Sequence, residues 1–332
     1  MPLWCHKLLF YKMKSFQNII SEELKVFESK FSNAVKSNVS LLDTVMKYII
    51  KRKGKQLRPM FVFLSAKLHG TINESTYRAA ALVEMLHTAT LVHDDVVDES
   101  MERRGFFSIN AIWKNKIAVL VGDYLLSKGL LLSTQNGEFE QLRILSEAIK
   151  QMSEGELLQI EKTRKLNIDE DVYFEIIKNK TASLLSSACA VGAYSTTQND
   201  EICQQMKLFG EKTGIAFQIK DDLFDYGTEK IGKPTGNDIK EKKMTLPLIY
   251  TLSNVDKHTR RKIIYIIKNN NIDKEKVKWI IDIVVSTGGI KYAEQKMLDY
   301  RDQALAIIDN YPTSDVGNAL KDLVRYTTDR KF

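Results

Sequence analysis

Apolar residues recur at intervals of three and four along most of the chain, the spacing that lines side chains up on one face of an α-helix. Phe16, Ile19, Ile20, Leu24 and Phe27 form one such stripe, and Leu42, Val45, Met46 and Ile49 form another. Residues 77–97 are apolar almost throughout and outrun any ordinary strand, which predicts a buried central helix. Long helical patterns follow over 109–132, 139–161, 172–194 and 202–226, and shorter ones over 246–252, 257–268, 275–286, 290–310 and 316–325. Gly54, Gly70, Gly105 and the 227–236 stretch punctuate them. No alternating apolar/polar run flanked by hairpin turns is found, and no short repeat. The predicted fold class is all-α, a bundle of ten or more helices with the longest and most apolar in the middle.

Composition changes this picture little. A chain of 332 residues, 44% hydrophobic and 27% charged, suits a soluble globular protein with a large core. Length alone suggests about two domains. With five prolines and no Pro/Gly/Ser-rich linker, one continuous helical domain over 13–332 is the better expectation. Residues 1–12 hold a short apolar patch with Trp4 and Phe10, interrupted by His6 and Lys7. The patch is too short to span a bilayer and lacks a small-residue cleavage site, so it reads as a non-native or disordered extension, with Met13 as an alternative start. No other stretch approaches an uninterrupted span, which limits membrane contact to the periphery. The net charge of +7 comes from lysine and arginine spread along the chain, the pattern of a solvated surface and not of a nucleic-acid binder. Cys5, Cys189 and Cys203 form no metal spacing and no disulfide framework, which points to a reducing cytoplasm.

Candidate chemistry begins where the 77–97 pattern ends. In His93-Asp94-Asp95-Val96-Val97-Asp98, a helix stacks Asp94 and Asp98 at i and i+4, with Asp95 adjacent. Three carboxylates at the end of an apolar helix repel one another and are costly to desolvate. A hard divalent cation removes that penalty, and magnesium favours carboxylate oxygens together with substrate phosphates. A helix end that simply reaches solvent explains one cluster equally well. However, Lys220-Asp221-Asp222-Leu223-Phe224-Asp225 repeats the arrangement after a second apolar helix. Six carboxylates on two helices can surround one cavity mouth and hold several magnesium ions against a diphosphate.

Cations accompany the clusters. Gly54-Lys55-Gln56-Leu57-Arg58-Pro59 sets Lys55 and Arg58 one turn apart at a turn-to-helix junction, a flexible ammonium beside a forked guanidinium. That pair suits a second diphosphate, with a plain solvated surface as the alternative, since Lys51, Arg52 and Lys53 lie close by. Arg103-Arg104 follows the first cluster, and His87 lies two turns below Asp94, where a lone helical histidine is usually structural.

The run from His87 to Asp98, followed by Arg103-Arg104-Gly105, resembles the trans-isoprenyl diphosphate synthases. So do Gly54-Lys55 with Arg58-Pro59, Lys180-Thr181, Phe217-Gln218-Ile219-Lys220-Asp221-Asp222, and Gly232-Lys233-Pro234 leading to Lys243-Met244-Thr245-Leu246-Pro247. The motifs stand in family order, and similar flanking helices extend the resemblance over nearly the whole chain. It implies helices around a central cavity, with Asp94, Asp95, Asp98, Asp221, Asp222 and Asp225 holding three magnesium ions against an allylic diphosphate. Arg103, Lys180, Lys233 and Lys243 would contact that diphosphate, and Lys55, Arg58, His87 and Arg104 would bind isopentenyl diphosphate. The implied reaction is head-to-tail condensation: the allylic C–O bond ionises, the isopentenyl double bond attacks the cation, and the released diphosphate takes the final proton. Thr181 and Gln218 would aim oxygens at the developing cation. Where the family often has Gly-Lys, this chain has Lys242-Lys243, and register favours Lys243. A homodimer and a long-chain product of the octaprenyl type, used for quinone side chains, are also implied.

Product length follows from the helix before the first cluster. In the family, a bulky aromatic four or five residues ahead of the first Asp stops growth early. Here those positions are the small Thr90 and Ala89, followed by the aliphatic Leu86, Met85 and Leu82. A chain growing down this helix is therefore expected to exceed about C20, with close helix packing the alternative role for Ala89 and Thr90. Other classes fit less well. A class I terpene cyclase needs no second pocket of the Lys55, Arg58 and His87 kind, and a short-chain synthase needs a higher floor. A metal phosphohydrolase built on His87 and His93 lacks further histidines nearby, and a non-enzymatic subunit would be expected to lose an Asp cluster.

Overall fold

The computed structural model describes residues 16–52, 54–103, 105–166, 168–227 and 236–329. The expectations for residues 1–12, Arg104 and Lys233 lie outside the described residues. Fifteen α-helices follow one another among them. They are α1 (Ser21–Ala34), α2 (Ser40–Lys51), α3 (Leu57–His69), α4 (Glu74–Val97), α5 (Ile109–Gln135), α6 (Phe139–Lys165), α7 (Glu170–Ile177) and α8 (Ser183–Thr197). The remainder are α9 (Asp200–Phe224), α10 (Asn237–Lys240), α11 (Leu246–Asn254), α12 (Lys257–Asn269), α13 (Lys274–Ser286), α14 (Gly289–Asp309) and α15 (Asp315–Thr328).

Local chemistry explains the two helices that end in acidic clusters. At the start of α4, the Asn73 side chain accepts from Thr76 N at 3.2 Å while Thr76 Oγ1 accepts from Asn73 N at 3.3 Å, a reciprocal cap for two orphan amides. The Asn199 side chain caps α9 in the same way, accepting from Glu201 N and Ile202 N. The small residues of α8 let it pack against both α4 and α9, and α4 lies along α5. The core has two parts. One joins α1–α5 to α8 and α15, and the other gathers α7 and α11–α14. Helix α9 runs through both, with Met206 and Phe209 in the first and Ile215, Ile219 and Leu223 in the second.

Three features depart from the predicted elements. The helix expected over 109–132 is broken at Lys114, whose φ is 72°. The single helix expected over 172–194 is divided by a wide π turn, Lys178–Ala182, between α7 and α8. One inserted residue barely disturbs an apolar periodicity, so the pattern does not register it. A two-stranded antiparallel hairpin pairs β1 (Glu102–Arg103) with β2 (Phe106–Phe107) across Gly105, whose φ is +77°. Strands of two residues are too short to show alternation.

Candidate active site

Both acidic clusters sit at helix C-termini. Asp94 and Asp95 occupy the last turn of α4, and Asp98 is its C-cap; Asp221 and Asp222 occupy the last turn of α9, and Asp225 is its C-cap. Neither last turn holds a basic residue. The peptide dipoles already place partial negative charge there, so each carboxylate is disfavoured by about 0.3–1 kcal/mol where a lysine would be favoured. Asp95 and Asp222 are buried as well. Sites that concentrate carboxylates against the dipole and out of water suit a bound cation.

A hydrogen-bonded chain fixes the second cluster. Thr181 Oγ1 donates to Gln218 Oε1 at 2.8 Å, Gln218 Nε2 donates to Asp222 Oδ1 at 2.8 Å, and Tyr173 OH donates to Asp222 Oδ2 at 2.7 Å. Burial pushes the Asp222 carboxyl up to about 6 against these two donors, with the neighbouring Asp221 charge adding to the rise. Asp225 is held by backbone amides. Its two carboxylate oxygens accept from Asn237 N at 2.8 Å and Asp238 N at 2.9 Å, which holds the start of α10 against the cluster. Asp238 thereby joins the site, and burial, followed by the charges of Asp222 and Asp225, pushes it up to about 7. Lys243 lies beyond α10, with its ammonium 2.5 Å from Glu241 Oε2. Burial works against that charge, yet Glu241, Asp238 and Asp98 together hold the pKa above its ordinary value. Asp98 belongs to the first cluster and Asp222 to the second, and the charge of Lys243 acts on both. Lys242 turns the other way and donates to the Lys268 carbonyl at 3.2 Å.

Lys180 and Thr181 lie in the π turn, which is squeezed between two glycines. A Cβ on Gly155 of α6 would come within 2.8 Å of Lys180 N, and one on Gly214 of α9 within 2.6 Å of Ala182 Cα. The close approach that only glycine allows brings Thr181 against Gln218. Wide turns of this kind often mark functional sites because they re-aim a side chain without ending the helix. The Lys180 ammonium pairs with the Glu156 carboxylate and donates to Gln159 Oε1 at 3.3 Å.

The cationic motif has the opposite polarity. Gln56 enters α3 with φ 52°, and Arg58 sits in that helix's first turn, where free amides and the dipole favour an anion. Arg58 Nη1 meets His87 Nε2 at 2.9 Å, tying the α3 start to the face of α4 two turns below Asp94. Lys55 is exposed, with Nζ 5.2 Å from the centre of the Tyr326 ring. Ala89 and Met85 are fully buried and Leu86 nearly so, while Thr90 is half-buried and donates to the His87 carbonyl at 2.9 Å. His93 turns towards α5, 3.3 Å from the Val119 carbonyl.

Sequence reasoning missed Tyr173, Glu156, Gln159 and Asp238. None belongs to a repeated pattern, and each reaches the site through a turn or a neighbouring helix. Among the described residues, no three His, Cys, Asp or Glu side chains already converge as a metal cage. The donor set still fits magnesium, which keeps waters and substrate phosphates in its shell and needs one or two carboxylates from each side.

Acidic helix ends flanking a lysine, with a cationic helix start two turns down, define an all-α enzyme that handles diphosphates. The sequence model of the polyprenyl synthetase family matches residues 39–284. The heptaprenyl diphosphate synthase component 2 of Bacillus subtilis is 32% identical, over 99% of this chain and 93% of that protein. Among solved structures, a decaprenyl diphosphate synthase from Rhodobacter capsulatus superposes with a TM-score of 0.91 at 32% identity, covering 96% of this chain and 98% of that one. A Caulobacter crescentus polyprenyl synthase complexed with calcium and isoprenyl diphosphate gives 0.87 at 31% identity, with the same coverage. The chain belongs to the polyprenyl synthetase family and is a prenyltransferase.

Proposed function

We propose that this enzyme condenses isopentenyl diphosphate with an allylic diphosphate to give an all-trans polyprenyl diphosphate longer than about C20. The observation that supports the reading is that the charges of Asp98, from the first acidic helix end, and of Asp238, beside the second, both act on Lys243, as expected if the two ends serve one diphosphate. The calcium and isoprenyl diphosphate in the Caulobacter enzyme support the same chemistry here.

Asp94, Asp95, Asp98, Asp221 and Asp222 would hold magnesium, three ions with the allylic diphosphate bound, and Asp225 would position α10 beside them. Bound magnesium supplies charge neutralisation for the departing diphosphate. Lys243, Lys180, Arg103 and Lys233 add their charges to the same leaving group. Lys180 must exchange Glu156 for diphosphate oxygens, which makes the pair a ready place-holder. The C–O bond breaks with both electrons going to the diphosphate, and the isopentenyl double bond then forms the new C–C bond. Thr181 Oγ1 and Gln218 Oε1, oriented through Asp222, offer lone pairs to the allylic cation. Lys55, Arg58, His87 and Arg104 hold isopentenyl diphosphate, and the released diphosphate takes the proton. Ala89 leaves the path down α4 open.

Residues 16–329 act as one catalytic domain, since α9 runs through both core regions and ends in the site. The partner is a second copy of this chain. Helix α5 is long and apolar enough to cross a membrane, yet it carries Lys114, Lys116, Asp123 and Lys128, and beyond a break at Lys114 it exposes Val119 and Leu130 on one stripe with Asp123 between them. A symmetric dimer covers such a stripe. Both Asp clusters are present, which supports self-sufficient activity in the cytoplasm without the second component that the Bacillus protein's name implies. Purified protein given magnesium, isopentenyl diphosphate and farnesyl or geranylgeranyl diphosphate should yield products longer than about C20, sized by chromatography. No elongation from any allylic primer rejects the reading, and a C15 or C20 end product rejects its length.

A further inference from the structure

The positive charge is not spread as its sequence distribution suggests. Residues 257–278, comprising α12, the loop after it and the start of α13, hold eight lysines and arginines against Asp273 and Glu275. That is a net +6 in one short segment of a chain whose total is +7. Ile263, Ile266 and Ile267 bury the inner face of α12. Its outer face aligns Lys257, Arg260, Arg261 and Lys268 along a shallow groove of about 570 Å³.

This face lacks the usual partners of a solvated surface. Helix α2 pairs Lys47 with Asp43, and α6 pairs Arg143 with Glu140. Helix α12 contains no acidic residue, and among the described residues none of the four cations makes an ion pair. Asp256, the nearest carboxylate, caps the helix by accepting from His258 N and Thr259 N. Three of the cations also crowd the N-terminal half, where the helix dipole disfavours positive charge. Two large apolar side chains of the segment are exposed. Tyr265 is 61% exposed within the stripe, and Ile272, in the loop that follows, is 79% exposed. Lys262 caps the neighbouring Trp279 ring at 4.2 Å.

We propose that the α12 face docks on a bilayer containing anionic phospholipids. Phosphate headgroups would neutralise the four cations, while Tyr265 and Ile272 enter the interfacial region below them. A nucleic acid offers phosphates but leaves Ile272 in water, and an acidic peptide would need a deeper groove. The face is tied to the catalytic end, since Asn271 Nδ2 donates to the Lys240 carbonyl and Lys242 to the Lys268 carbonyl. Docking therefore brings the site that makes a water-insoluble lipid to the phase that accepts it. The charge and exposure of this surface are the same whatever the product length.

The full chain is sedimented with vesicles of phosphatidylcholine alone and with vesicles also containing phosphatidylglycerol. Binding is expected to the anionic vesicles only and to weaken with salt. Arg260→Gln and Arg261→Gln should each lower the partition coefficient about fivefold. Ile272→Ser should lower it severalfold at unchanged net charge. Elongation of a short soluble primer, run on the same samples, should be unaffected, which separates failure of the surface from failure of the enzyme. The proposal is overturned by equal binding to both vesicles, by no vesicle binding, by binding that survives Arg260→Gln and Arg261→Gln combined in one chain, or by patch-dependent binding to duplex DNA in place of vesicles.

Discussion

At the scale of single residues, the second acidic cluster depends on groups far from it in sequence. Tyr173 OH donates 2.7 Å to Asp222 Oδ2 and so favours the ionised carboxylate that a cation needs. Tyr173→Phe should raise the magnesium concentration for half-maximal rate severalfold and move the acid limb of activity to higher pH, with little loss at saturating magnesium. Initial rates across a magnesium titration at two pH values check this. Asp238 gives a stability signature. Its folded-state pKa is raised to about 7, chiefly by burial, so the native protein holds this proton more tightly than the unfolded chain does. The resulting stabilisation is complete below the unfolded value and is lost as pH rises through about 7. Asp238→Asn removes that loss. In chelator its Tm should exceed that of the parent by several degrees at alkaline pH and match it in acid, as measured by scanning calorimetry.

At the scale of elements, helix ends set polarity and helix faces set length. Helices α4 and α9 direct C-termini at the site, whereas α3 directs an N-terminus at the Arg58–His87 pair. The carboxylates proposed to hold metal and the residues proposed to hold a diphosphate thus sit at the backbone poles that suit such ligands. The α4 face below the first cluster packs on α5. A Cβ on Gly129 would lie 2.7 Å from Leu82 Cδ1, so the Leu82 level is where a path down this seam meets the next helix. Ala89 lies above it. Ala89→Phe should therefore shorten the product ladder by one or more isoprene units, read by chromatography of dephosphorylated products, and an unchanged ladder refutes the path. These helices were legible because their apolar stripes are long. The π turn at Lys178–Ala182 and the four-residue α10 were not, since neither contributes a stripe.

At the scale of the whole molecule, two surfaces stand apart from the site. The α5 stripe is apolar and the α12 face is basic, which suits them to different neighbours. Leu130 is half exposed near the C-terminal end of the α5 face. Leu130→Glu should convert the proposed dimer to a monomer by light scattering after gel filtration, because burying two symmetry-related carboxylates against each other is costly. Neither surface could be located from sequence. An exposed Leu130 and a buried Leu125 look alike in an apolar run, and a local charge excess becomes a patch only when its helix face is known.

The sequence by itself determined the all-α class, most helix positions, the duplicated carboxylate spacing and the family. Those properties rest on local periodicity and on side chains within one or two turns of each other. The tertiary structure alone decided that the charges of Asp98 and Asp238 both act on Lys243, that Tyr173 orients Asp222, that Asp225 holds α10, and that four cations share one face of α12. Each of these joins residues brought together by packing between helices, and the spacing along one chain does not encode that distance.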